Sequence, residues 1–216
     1  MTQRGVPYLA KRALDVAIAG AALVVTGPVM AAAAGAVLAT MGRPVLFRQE
    51  RIGRGDRPFR IVKFRTMRQA PPDASPDQDH ARITRLGRAL RATSIDELPQ
   101  LLNILRGDMS LVGPRPLLVR YLPRYSERQR RRHDVLPGLT GWAQVHGRNA
   151  LTWDQKFDHD VWYVDHWTPW LDVKILAWTA IRVARRDGVS ADGHATMPEF
   201  LGSSSTAAST GPNRVR

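Results

Sequence analysis

The chain has 216 residues, enough for one ordinary domain and an appendage. Its 32 Lys and Arg against 19 Asp and Glu leave a net charge of +13, which attracts polyanions such as nucleic acid, anionic lipid or nucleotide-sugar phosphates. It contains no cysteine, which excludes disulfides and thiolate catalysis, and it shows no Walker A, Rossmann or classical zinc pattern.

From Val16 to Met41 no residue is charged. A straight helix of that run reaches roughly 39 Å, enough to span a bilayer. The run is long for the apolar region of a signal peptide, and the basic residues after it do not suit a secreted start. Gly27-Pro28 falls near its middle, and proline removes an intrahelical donor and clashes with the preceding turn. Both flanks are basic, with Arg4, Lys11 and Arg12 before and Arg43, Arg48, Arg51 and Arg54 after. Such flanks favour the cytoplasmic side. A break between two cytoplasmic flanks predicts a re-entrant helical hairpin with arms of about 13 residues, each reaching about 20 Å. A kinked straight span stays open as the alternative. Thr26 has the chemistry to bond back to a carbonyl beside the break.

Residues 44–67 read as a β-hairpin turning at Gly53 to Asp56. Residues 70–79 are rich in Pro and Asp and predict a mobile loop. Residues 82–91 read as a helix with Arg82, Arg85, Arg88 and Arg91 along one face, a row that serves equally well as a solvated surface. A second helix follows Ser94 and stops at Gly107. Residues 117–133 predict an arginine-rich amphipathic helix, and Pro137-Gly138 opens a loop through Asn149. Residues 153–186 read as helical, with tryptophans suited either to a bilayer interface or to ordinary core packing. The expected fold is α+β: a membrane re-entrant hairpin over residues 1–43, a mostly helical catalytic domain with a small β-hairpin and interfacial amphipathic helices over 44–201, and a disordered tail over 202–216.

The candidate chemistry sits in Ser94-Ile95-Asp96-Glu97-Leu98-Pro99 and Ser110-Leu111-Val112-Gly113-Pro114-Arg115-Pro116. Ser94-x-x-Glu97 by itself is a helix capping box. However, the box needs only one acid, Asp96 and Glu97 are consecutive, Arg91 lies just upstream, and Arg115 is restrained by a proline on each side. With Lys63 and Arg65 nearby, a carboxylate pair in a field of cations suits a nucleophile or Mg²⁺ ligand acting on a phosphorylated substrate. A helix N-terminus and neighbouring arginines predict that both acids are ionised.

At these residues the chain resembles the bacterial sugar transferases, the monotopic phosphoglycosyl transferases that act on polyprenol phosphate. The likeness covers roughly residues 10–183. It is carried by Lys11-Arg12-x-Leu14-Asp15, Lys63-Phe64-Arg65-Thr66-Met67, Thr93 to Leu101, Gly107 to Pro116, and Pro137 to Val145. The resemblance implies a two-step reaction. An Asp attacks the sugar-bearing phosphate of a UDP-sugar and UMP leaves. The phosphosugar then passes to polyprenol phosphate, commonly undecaprenyl phosphate, in the first membrane step of glycoconjugate or exopolysaccharide synthesis. It implies Asp96 as nucleophile and Glu97 as its companion acid and Mg²⁺ ligand. Lys63, Arg65, Arg91, Arg115, Gln144 and Arg148 are the implied substrate-binding residues, and Gly27-Pro28 the membrane break. It also implies location on the cytoplasmic face of the bacterial inner membrane among its lipids, in a minimal form without additional transmembrane helices, and it allows a homodimer. Two positions depart from the family pattern: Gly27 stands where Ser is common, and His146 where Asn is common.

Two other functions fit the composition. One is a membrane-anchored nucleic-acid module, suggested by the net charge and by the run Arg128 to Arg132, which lacks any supporting motif. The other is a non-enzymatic scaffold for glycan assembly. The expectation is an enzyme with no nucleic-acid partner.

Overall fold

The computed structural model of the chain describes residues 6–69, 82–147, 150–185 and 199–202. The Pro- and Asp-rich stretch at 70–79 and the tail beyond residue 202 lie outside the described residues.

Helix α1 spans Val6–Met41. Its run of alanines and leucines favours helix. The helical pattern continues through Gly27 and Pro28, so the two arms expected from the sequence form one helix here. Pro28 cannot donate to the Val24 carbonyl. Just before it, the Thr26 hydroxyl donates to the Ala22 carbonyl at 2.7 Å. The helix ends at Gly42, whose φ of 70° is easy only for glycine and whose N–H bonds Leu38 O at 2.9 Å.

One stripe of α1 packs on the rest of the chain, with Ala19 and Val37 fully buried. The opposite side leaves Val24 79 % and Val25 76 % exposed, an apolar face that water does not favour. The basic residues at the start of α1 are tied into the protein. Lys11 is buried and donates to Asp172 at 2.6 Å and to Val112 O at 3.2 Å. Arg12 donates to the carbonyls of Ile104, Leu105 and Met109. Asp15 accepts the Leu111 N–H at 3.1 Å. The Lys11-Arg12-x-Leu14-Asp15 motif is therefore a docking device, and not only a basic flank.

Strands β1 (Leu46–Ile52) and β2 (Pro58–Phe64) form the expected antiparallel hairpin, in register from Leu46 opposite Phe64 to Ile52 opposite Pro58. Helix α2 (Arg85–Ala92) starts at Thr84, whose hydroxyl accepts the Gly87 N–H at 2.9 Å. After it, Ser94 adopts a left-handed conformation (φ 56°) and makes no side-chain cap. The capping box legible in the sequence does not form. Instead, a 3-10 run over Ile95–Gln100 carries Asp96, Glu97 and Pro99 and leads into α3 (Leu101–Arg106), which stops at Gly107 with φ 95°.

The Ser-Leu-Val that leads into Gly-Pro-Arg-Pro forms β3 (Ser110–Val112), which pairs in parallel with β4 (Gly138–Thr140) of the Pro-Gly-Leu-Thr-Gly motif. A Cβ on Gly138 would lie 2.1 Å from the Gly113 nitrogen, and one on Gly141 2.2 Å from the Gly113 oxygen. Only glycine lets these backbones approach so closely. The expected loop from Pro137 is thus a short strand followed by helix α5 (Trp142–His146).

The long amphipathic helix expected over 117–133 is broken into a 3-10 run (Val119–Arg124), a short α4 (Glu127–Arg130) and another 3-10 turn. Pro123 interrupts the hydrogen bonding, and Ser126 with Gln129 forms a capping box that restarts it. The last helical region is two helices, α6 (Trp153–His166) and α7 (Pro169–Arg185), separated where Thr168 caps and Pro169 opens the new helix. Trp167 is a core residue, whereas Trp170 is 75 % exposed. The main core joins Ala19 of α1 to Ile61, Ile104, Val112, Tyr163 and Ile175.

Candidate active site

Asp96 and Glu97 leave the 3-10 run in different settings. Asp96 is only 6 % exposed. Burial first, then the neighbouring Glu97, push its carboxyl up to about 6, against the opposing pull of Lys63, Arg91 and Arg115. Desolvation outweighs the pull of the cations that the sequence sets around this acid. At neutral pH the group is still mostly ionised, with raised basicity.

Glu97 faces Arg115. Nη2 of Arg115 lies 2.5 Å from Oε1 and Nη1 lies 3.4 Å from Oε2, a forked contact. The charge of Glu97 and this hydrogen bond hold the guanidinium above its ordinary pKa. The loop bearing Arg115 is held from behind. Buried Arg132 donates to the Arg115 carbonyl at 2.7 Å and pairs with buried Asp160 through Nη2 at 2.7 Å and Nε at 3.0 Å. The Pro114 carbonyl accepts the Gly138 N–H at 2.9 Å. Arg115 is therefore a fixed fork on a rigid loop, as its two prolines suggest.

Lys63 projects from β2 into the same field. Burial lowers its pKa to about 8, opposed chiefly by Glu97. Arg91 acts on Asp96 electrostatically, and its Nε donates to Thr66 Oγ1 at 2.9 Å. Thus Asp96, Glu97, Lys63, Arg91 and Arg115 converge.

Other expected residues are placed differently. Arg65 is buried and its guanidinium donates to the carbonyls of Met41, Gly42 and Arg43, closing the end of α1. Gln144 donates to Leu139 O at 3.0 Å across the β4–α5 turn. Arg148 lies outside the described residues.

Two cations of this site went unrecognised in the sequence. Arg51, counted there among the membrane flank, interacts electrostatically with Arg115 and Glu97. Lys156 of α6 is lowered to about 8 by burial and then by Arg115. The signal for Arg51 was the hairpin register: Phe47 stands opposite Lys63 and Arg51 opposite Phe59, so alternation puts Arg51 and Lys63 on one face. Lys156 offers no such signal, because its approach depends on tertiary packing of α6.

The sequence profile of the bacterial sugar transferase family matches residues 6–186. The chain is 48 % identical over 196 residues to EpsL of Bacillus subtilis (strain 168), described as an uncharacterized sugar transferase, covering 89 % of this chain and 96 % of that protein. It is 39 % identical over 189 residues to the UDP-glucose:undecaprenyl-phosphate glucose-1-phosphate transferase of Escherichia coli (strain K12), covering 82 % of this chain and 41 % of that one. It is 41 % identical over 176 residues to the UDP-N-acetylgalactosamine-undecaprenyl-phosphate N-acetylgalactosaminephosphotransferase of Aeromonas hydrophila, covering 77 % of this chain and 41 % of that one. The chain therefore spans about two fifths of the latter two relatives.

Proposed function

The chain belongs to the bacterial sugar transferase family, and we propose that it transfers a phosphosugar from a UDP-sugar to polyprenol phosphate through a covalent Asp96 intermediate. The observation that carries this reading is the buried, more basic Asp96 beside the forked Arg115–Glu97 pair and Lys63. In the first step an Asp96 carboxylate oxygen attacks the sugar-bearing phosphorus. The bond from that phosphorus to the bridging oxygen breaks, and its electron pair leaves on UMP. In the second step an ionised oxygen of polyprenol phosphate attacks the same phosphorus and restores the carboxylate. Neither step requires a general base. Lys63, Arg91 and Arg115 neutralise charge that grows on phosphate oxygens.

Mg²⁺ belongs to this proposal. Among the described residues no group of three or more His, Cys, Asp or Glu could hold a metal ion. Mg²⁺ commonly takes only one or two carboxylates with substrate phosphates and water, and the oxygens of Glu97 and Asp96 suit that hard cation. Glu97 would share its oxygens between the ion and Arg115. The ion supplies further neutralisation of phosphate charge.

The exposed apolar face of α1 supports insertion in a membrane, and polyprenol phosphate is itself a membrane lipid. The reading places α1 as a re-entrant element of the inner membrane and the catalytic residues at the cytoplasmic face, where UDP-sugars are available.

The test is incubation of the full chain with a UDP-sugar and Mg²⁺ without polyprenol phosphate. About one UMP per active enzyme is expected in a burst, with a phosphosugar adduct on the intact protein that peptide mapping assigns to Asp96. UMP release only when polyprenol phosphate is present, with no adduct, would replace this mechanism with direct transfer.

A further inference from the structure

Arg51 sits where a second guanidinium can reach the substrate. Its backbone is fixed by the hairpin and by a bridge to Leu118, and the adjacent Ile52 N–H bonds Leu117 O at 3.0 Å. Strand β1 is thus laced to the segment that follows Pro116, which brings Arg51 beside Arg115. Its Nη2 donates to Gln49 Oε1 at 2.6 Å, while its Nε is buried with no hydrogen-bond partner. A buried guanidinium donor without an acceptor is costly. Arg51 and Arg115 also repel each other, and with Lys63 and Lys156 they outnumber the two carboxylates. Burial, with Arg115, lowers Arg51 to about 10. A multiply charged anion relieves each of these strains.

The neighbours of Arg51 place it relative to the nucleophile. Arg51 interacts with Arg115, Glu97, Tyr121 and Tyr125, whereas Asp96 interacts with Glu97, Lys63, Arg91 and Arg115. Alternation along the hairpin puts Arg51 on the same face as Lys63, and the bridge to Leu118 sets it beside the segment that follows Pro116, within electrostatic reach of Arg115 and Glu97. Resting on the reading given under Proposed function, we infer that Arg51 binds the departing nucleotide phosphate, as the partner of Arg115 in a two-guanidinium clamp on the nucleoside diphosphate. As the bridging bond breaks, the electron pair arriving on the nucleotide phosphate is met by the positive charge of the Arg51 guanidinium. Attack on the sugar-side phosphorus and loss of the nucleotide are then served by different cations.

This separates the two half-reactions. Arg51→Gln should weaken UMP binding to the full-length, detergent-solubilised protein by at least tenfold in calorimetry. It should slow adduct formation by about a hundredfold, while discharge of preformed adduct to polyprenol phosphate keeps its wild-type rate. Arg51→Lys, which keeps the charge but loses the Nε–H and the planar fork, should show the same pattern less severely. Arg60→Gln, on the exposed partner of Glu50, should leave all three unchanged. Independently of any variant, UMP should protect Arg51 of the wild-type protein from phenylglyoxal without protecting Arg60. Wild-type UMP affinity in either folded Arg51 variant, equal slowing of both half-reactions, or unchanged phenylglyoxal modification with UMP would overturn the assignment. Absence of any adduct on wild type, with UMP protection of Arg51 intact, would instead remove the covalent mechanism and leave the phosphate assignment standing.

Discussion

Arg115 grips Glu97 and not the neighbouring Asp96: Nη2 and Nη1 of the one guanidinium reach the two oxygens of the one carboxylate. Glu97 therefore orients the cation, and Asp96 is left to react. Arg115→Lys keeps the charge but cannot make the forked contact or present a second planar donor. Turnover is expected to fall about a hundredfold, the scale of losing one positioned charge-stabilising donor. Thermal stability should change little, because the loop is held by Arg132 and Gly138 rather than by the Arg115 side chain. Steady-state UMP release alongside a melting curve checks both; wild-type turnover would reduce Arg115 to a bystander.

The Lys11–Asp172 pair ties α1 to α7 in the protein interior. Lys11→Met strands a buried carboxylate that retains only the Tyr163 hydroxyl and Trp167 indole donors. A loss of about 3 kcal/mol is expected, at the low end for breaking a buried pair because those donors remain. In a protein of this size that corresponds to a fall in melting temperature of about 6–12 °C. Adding Asp172→Leu should cost less than the sum of the two single changes, which a double-mutant cycle measures. An unchanged melting temperature for Lys11→Met would show that the pair contributes nothing to docking.

Much of this arrangement was legible in the sequence for local reasons. Alternating apolar residues and a glycine turn specify the β-hairpin, and an uncharged run specifies α1. The two carboxylates, Lys63, Arg91 and Arg115 stood out because they cluster in short segments. What stayed hidden depends on distant partners. The Lys11-Arg12 pair reads as a membrane flank until Asp172, some 160 residues later, is packed against it. Arg65 reads as one more phosphate ligand until the end of α1 supplies carbonyls for it. Ser94 has the sequence of a cap, but its backbone is left-handed, its hydroxyl makes no cap, and a 3-10 run follows that presents Asp96. The glycines at 113, 138 and 141 look like loop residues, and only their mutual approach explains them.

Both ends of α1 are docked on the same domain. Lys11 and Arg12 are bound near the start, the Arg54 guanidinium of the hairpin turn lies 5.1 Å from the Tyr8 ring centroid, and Arg65 closes the end at Met41. A span that put residue 5 across the bilayer would break the contacts at the start. Because the chain has no cysteine, single cysteines at residues 5 and 54 can be read without background. Both are expected to be shielded from an impermeant thiol reagent outside intact spheroplasts and labelled after lysis. Labelling of one alone in intact cells would establish a true span. Pro28→Leu restores the missing donor's helix-forming context and should shift some molecules toward that span.

The raised Asp96 and lowered Lys63 predict how the first half-reaction depends on pH. Asp96 attacks as a carboxylate, and burial with Glu97 brings its pKa to about 6. Below that value the acid form accumulates, so adduct formation should fall about tenfold per pH unit. Lys63 helps as a cation, and burial brings it down to about 8. Above that value it loses its proton, and the rate should fall again. The expected profile is a bell with limbs near 6 and 8, read from single-turnover UMP release at fixed Mg²⁺. Lys63→Met discriminates the two limbs. It should remove the alkaline limb and lower the plateau. It should also move the acid limb upward, because Asp96 loses the first of the cations that favour its ionised form. An alkaline limb that survives unchanged in Lys63→Met would assign it to another group, and an acid limb that moves downward would contradict the electrostatic account of Asp96.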